Sequence, residues 1–102
     1  MSDRTRKLVA LRARTNYDLL VLVQREIHRG LALVDVATTR NSPLFAQAEK
    51  AFAAAAAMFP RISGMSQDDQ VQIEARLKEL RSRLDQMPAY ANLRPYPASF
   101  AS

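Results

Sequence analysis

The placement of the chain breakers limits what this sequence can fold into more than any other feature. Through residue 40 there is no proline and a single glycine, Gly30. The remaining breakers fall at Asn41-Ser42-Pro43, Pro60, Ser63-Gly64 and Pro88, with Pro95 and Pro97 in the tail. Helices stop at such residues because proline has no amide to donate and glycine frees the backbone. Two glycines in 102 residues also argue strongly against an all-β fold, whose many tight turns want glycine at positive φ. The spacing therefore predicts an all-α fold, a three-helix antiparallel bundle or helical hairpin. Its helices run over about 3–39, 43–59 and 66–87, with an extended or disordered C-terminal tail. Residues 1–87 make one helical domain, in which 1–14 are a basic N-terminal extension of the first helix, and 88–102 are the tail.

The third helix is written plainly in its periodicity. Ser66 and Asp69 form a capping-box-like start, with Asp68 and Asp69 in the positive first turn. Ile73, Leu77, Leu80, Leu84 and Met87 follow at alternating spacings of four and three, which is one apolar stripe. Glu74–Lys78 and Glu79–Arg83 are i,i+4 pairs in the favourable order. The second helix begins with Ser42 as cap and Pro43 at the first helical position. Its stripe is Phe45, Ala48, Phe52, Ala55 and Phe59. The alanine run at residues 53–57 permits close helix approach, so packed neighbours on more than one side are expected there.

The first segment poses a length problem. As one helix it spans about 55 Å at 1.5 Å per residue, against about 26 and 33 Å for the other two. Two solutions exist. Thr15-Asn16-Tyr17-Asp18 has low helix propensity and reads as a second capping box, which would break the helix. Alternatively the helix is continuous or mildly kinked, and its surplus half packs on a second copy of the chain. Leu8, Val9 and Leu11 are apolar in that half, and Leu19, Leu20, Val21, Leu22 and Val23 are apolar around the whole helix. These residues favour a homodimer, with Leu8, Leu11 and residues 19–23 as the self-association surface.

The middle of the chain resembles the second helix of a tetratricopeptide repeat, through Ala48-x3-Phe52-x2-Ala55-x4-Pro60. The preceding helix departs from that pattern. Counting back in register puts Ala32 where a large aromatic is usual and Val36 where Gly or Ala is usual, and no second copy occurs 34 residues away. The three-helix plan, with an Ala/aromatic middle helix and a charged third helix, is also similar to microtubule-interacting-and-trafficking domains. The resemblance covers about residues 27–87. It implies a helical hairpin plus a packing helix, and a role in binding peptides or helices of other proteins.

The residues give no catalytic constellation. Without cysteine there is no disulfide, thiolate nucleophile or Cys-ligated metal. The single His28 lies beside Glu26, but two residues apart on a helix they point about 200° away from each other. No HExxH, GxSxG, E-x-x-H pair or Gly-rich phosphate loop is present. Asp68 and Asp69 are explained by the helix start. No catalytic residue, metal or cofactor is therefore predicted.

Charge is more informative. Residues 1–14 hold Arg4, Arg6, Lys7, Arg12 and Arg14 against Asp3, a net +4 within a chain of +5. Lys7 and Arg14 share one direction on a helix, Arg4 lies within about 60° of it, and Arg6 and Arg12 flank it more widely. Such a cluster suits phosphates or an acidic partner. No aromatic is interleaved and no helix-turn-helix glycine appears, so base-specific reading has no support.

The longest apolar run, residues 51–59, is far below the ~20 residues that a membrane helix needs. The N-terminus lacks the apolar core of a signal peptide. A cytoplasmic protein off the membrane is the expectation, and Arg outnumbering Lys 12 to 3 suits a GC-rich bacterial genome. In the tail, Tyr90, Tyr96 and Phe100 are candidate contacts with the bundle or a partner. The leading expectation is a small non-enzymatic protein that self-associates and binds an unidentified protein partner. The alternatives are a nucleic-acid-binding accessory protein using the Arg-rich end, and a chaperone-like adaptor for one client.

Overall fold

The computed structural model describes residues 3–89 and contains three α-helices and no strand among them. Helix α1 is Asp3–Val36, α2 is Pro43–Met58 and α3 is Gln67–Asp85, with a short 3-10 turn at Phe59–Arg61 after α2. The helices run up, down and up. The C-terminal ends of α1 and α3 therefore meet the start of α2, where Val34, Phe45, Ala48 and Leu84 form one end of the core. At the other end Val23 and Ile27 of α1 meet Ala55 of α2 and Ile73 of α3.

The three helices come together at Gly30. A Cβ built there would lie 2.7 Å from Leu80 Cδ2 and 3.4 Å from Ala51 Cβ. The missing side chain leaves the space that Leu80 fills from α3, and Leu80 is fully buried. Burying a leucine to that degree is worth about 1.5–3 kcal/mol. Ala48, Ala51 and Ala55 give α2 an inner face without bulk, and all three are buried. The rest of the alanine run behaves differently from the expectation. Ala53, Ala56 and Ala57 face solvent, because α1 and α3 cover only one side of a helix whose far side has no third neighbour.

The caps match their sequence signals. The Ser42 hydroxyl accepts from the Leu44 amide at 3.1 Å and Ser66 accepts from the Asp69 amide at 3.1 Å. Gly64 takes φ 71° in the turn before α3, a left-handed conformation that glycine adopts without cost.

The predicted ends shift by one to three residues. Helix α1 stops at Val36 instead of 39 because Thr39, a buried residue, builds a turn of its own: its hydroxyl accepts from the Asn41 amide and its carbonyl from the Ser42 amide. Helix α3 stops at Asp85 instead of 87. There Arg40, in the α1–α2 loop, donates from Nε to the Met87 carbonyl at 2.8 Å and from a terminal nitrogen to the Asp85 carbonyl at 2.9 Å. The Arg40 amide donates to Pro88. One arginine thus caps the end of α3 with its side-chain fork and ties the chain's exit to the α1–α2 loop.

The expected pairs Glu74–Lys78 and Glu79–Arg83 do not form. Arg83 instead reaches Asp35 on α1, and Arg81 pairs with Asp85 at 3.3 Å. The reason is geometric: Arg83 sits beside the core residue Leu84 on the flank that meets α1. These groups are well exposed, so each pair contributes at most about 1 kcal/mol.

Two stability predictions follow from this packing. Gly30→Val lowers the unfolding free energy by about 1–3 kcal/mol, because the branched side chain must displace buried Leu80. In urea titrations its midpoint drops, and Gly30→Ala lowers it less, since a helix-propensity gain of about 1 kcal/mol offsets part of the clash of its Cβ with Leu80. Arg40→Ala costs about 1 kcal/mol in the same titration. Arg40→Lys does not restore that loss, because an ammonium lacks the fork that reaches two carbonyls.

Candidate surface on the first helix

Helix α1 has 34 residues and α2 has 16, or about 51 Å against 24 Å at 1.5 Å per residue. The surplus lies at the N-terminal end. Every residue from 3 to 15 is exposed, and Asn16 is the first that is partly covered. The helix is continuous through Thr15–Asp18, which resolves the choice between a break and a single helix. Thr15 does not cap a new helix; its hydroxyl donates to the Leu11 carbonyl at 2.9 Å, a bond that fits inside an unbroken helix. Asn16 has a different task. Its amide nitrogen donates to the Ser63 hydroxyl at 2.9 Å and its oxygen accepts from the Ser63 amide at 3.2 Å. This two-point clamp pins the turn before α3 to α1 and marks where the bundle ends and the overhang begins. Nothing in local sequence pairs Asn16 with Ser63, because the two are 47 residues apart.

The expected self-association residues divide into two groups. Val23 is fully buried, and Leu20 packs against the same core with Ile27, Ala55 and Ile73. These two are used within the chain. Leu19 and Val21 are half-buried, while Leu22 is 41% exposed. Leu8 and Leu11 are 50% and 60% exposed, and Val9 is also open.

The open residues form a pattern of their own. Leu8, Leu11, Thr15 and Leu22 follow each other by three, four and seven residues and are all exposed. At 100° per residue they cluster about 110° away from the direction that buries Val23, Ile27 and Val34. Leu8 and Leu11 also line a shallow cleft of about 210 Å³ that reaches Ser63. Helix α1 therefore carries two stripes, one spent on its own bundle and one unspent.

The basic residues Arg4, Arg6, Lys7, Arg12 and Arg14 are all exposed. Lys7 and Arg14 point opposite the bundle-facing side, and Arg12 flanks the leucine stripe. They surround the overhang more than they form one face. Tyr90, Tyr96 and Phe100, the candidate tail contacts, lie outside the described residues, as do most of residues 88–102.

Elsewhere the chemistry-bearing side chains stay apart. His28 is exposed, and its neighbour Glu26 pairs with Arg29 at 3.4 Å. Among the described residues no group of three His, Cys, Asp or Glu is placed to hold a metal. No described helix is long and apolar enough to cross a membrane.

Fold and surface together define a small three-helix bundle whose first helix outruns its partners. Comparison with protein-family models, with curated proteins and with solved structures gives no match. The tetratricopeptide-like spacing thus rests on the residues alone. Ala48 and Ala55 do lie buried in the hairpin, but Ala32 and Val36 face solvent. The small residue that admits close contact is Gly30, off the register that the repeat would set.

The division between the two stripes has a direct check. Leu20→Asp puts a carboxylate into the monomer's own core and lowers its stability by about 2–4 kcal/mol in chemical denaturation. A loss under about 0.5 kcal/mol would show that Leu20 is not packed there.

Proposed function

We propose that this chain is a small non-enzymatic interaction protein that self-associates as a homodimer through the open stripe of α1. One observation carries the reading: the stripe of Leu8, Leu11, Thr15 and Leu22 lies about 110° from the bundle-facing side. A second copy can seat on it without displacing α2 or α3. Covering the exposed halves of the three leucines is worth about 1 kcal/mol apiece. The overhang has a further reason to seek a partner, because a helical stretch of about 13 residues is marginal in water without packing.

The basic cluster supplies a second reading. Five exposed cations on the same overhang suit the phosphates of a nucleic acid or an acidic partner. The two readings make opposite predictions about salt. A homodimer brings two segments of net +4 near each other, so raising ionic strength screens their repulsion and tightens the dimer. Binding to nucleic acid releases counterions and weakens steeply with salt.

Light scattering at tens of micromolar tests the proposal. The expected mass is twice the 11.4 kDa of one chain, increasingly populated at higher salt. The double change Leu8→Asp, Leu11→Asp gives a monomer with its bundle intact, since both positions are exposed. A wild-type monomer at every salt concentration would sink the homodimer. In that case binding to duplex or single strands that falls with salt, and is lost when Arg4, Arg6, Lys7, Arg12 and Arg14 become Gln, would favour the second reading.

A further inference from the structure

The open face of α1 carries charge as well as leucine, and the order of the two limits how a second copy can lie on it. Arg4, Leu8, Leu11, Thr15, Asp18 and Leu22 recur at spacings of four, three, four, three and four. That is the spacing of a seam between two helices. All of them are exposed. Asp18 is the one acid on the seam, and between residues 3 and 22 the only other acid is Asp3. Cations lie toward the opposite end, with Arg4 on the seam and Lys7 on its flank.

We infer that two copies pair antiparallel along this seam, with the twofold axis level with Ala13 and Asp18 of each copy between Arg4 and Lys7 of the other. The inference rests on the homodimer proposed above and gives it a direction and a register. Helices paired in parallel and in register put like residues together. Arg4 would then face Arg4, Asp18 would face Asp18, and Lys7 would lie beside Arg12 of the second copy. Like charges set against each other in this way weaken an interface.

Reversing one helix about Ala13 removes those pairs. Leu8 then faces Asp18, Leu11 faces Thr15 and Leu22 faces Arg4, so every layer of the seam holds one leucine. Lys7 falls within about 2 Å of the level of Asp18 and on the same side of the seam, and Arg4 lies about 6 Å further along. The stem of Arg4 covers Leu22 while its guanidinium turns to Asp18. Sliding the copies by one heptad loses this match. Toward the tips, Leu22 is left bare and Lys7 comes beside Arg14. Toward the bundles, Leu8 meets Arg25 and Arg4 meets Arg29, both of them exposed cations.

The arrangement leaves room for both bundles. Asn16, where the bundle begins, is level with Ala10 of the other copy, so the bundles project from opposite ends. Arg12 and Arg14 stay near the axis, each close to its own counterpart. Net repulsion therefore persists, and the dimer still tightens as salt rises.

The absence of cysteine makes the direction measurable. Full-length chains carrying Leu22→Cys or Arg4→Cys, both at exposed positions, are mixed, allowed to exchange and mildly oxidised. Antiparallel pairing sets residue 22 of one chain across from residue 4 of the other, and holds the two copies of residue 22 about 27 Å apart. The disulfide-linked product is expected to join the two variants, and neither variant alone gives a linked dimer. Linked dimers from Leu22→Cys alone would assign parallel pairing and overturn the inference while leaving the homodimer in place. Asp18→Asn gives an independent reading. It loosens an antiparallel dimer by about two- to fivefold, but tightens a parallel one by removing two facing carboxylates, and tightening would overturn the inference. Light scattering of the unmodified chain separates the two levels of failure. A monomer at every salt concentration overturns the homodimer and this pairing together, whereas a dimer with no linkage in any combination overturns the pairing only.

Discussion

The approach of Leu80 to the bare backbone at Gly30 is the contact on which the rest of the bundle depends. Gly30 has no side chain to fill the space between α1 and its neighbours, so a leucine from α3 fills it and becomes fully buried. Ala51 closes the same point from α2 at ordinary contact distance. A glycine inside a helix costs about 1 kcal/mol against alanine. Here the cost is offset by letting three helices of modest apolar content meet at one level. The two ends of the core then pack on either side of that junction, one around Phe45 and Leu84 and the other around Ile27 and Ile73.

Once the helices are locked at Gly30, the inequality in their lengths appears at one end only. The C-terminal ends of α1 and α3 are level, tied by Arg40 and by the Asp35–Arg83 pair. The surplus of α1 is therefore forced out past the Asn16–Ser63 clamp at the opposite end. The overhang is a consequence of where the bundle is anchored, and with it come the exposed leucines and the concentration of positive charge. Leu8, Leu11 and the five basic residues lie on the part of α1 beyond that clamp, where every residue from 3 to 15 is exposed.

Much of the fold was legible because it depends on local rules. Ser42, Pro43, Ser66, Gly64 and Pro60 act through the backbone within a few residues of themselves, and each marks an element boundary close to where sequence places it. The stripe from Ile73 to Met87 was equally plain, since one helix face with one side buried leaves a single periodic signal. The differences have two causes, one local and one tertiary. Thr39 ended α1 early through a turn formed by its own hydroxyl, a small competition that propensity does not resolve. Leu20 and Val23 pack in the chain's own core, because apolarity on all sides of residues 19–23 says that burial occurs but not against what. Arg83 was expected to pair along its own helix, yet it pairs with Asp35 of α1.

The sequence by itself determined that this chain is all-helical, where its helices start and stop to within a few residues, and that the first is too long for the others. Those properties follow from backbone chemistry and hydrophobic periodicity, which act over one or two turns. Only the tertiary structure decided which apolar residues of α1 are spent internally and which stay open. It also decided that Asn16 and Arg40 are tethers. These depend on contacts between residues some 45 to 47 positions apart. Such contacts leave no periodic trace in a sequence, because they are selected by the relative placement of whole helices and not by their neighbours along the chain.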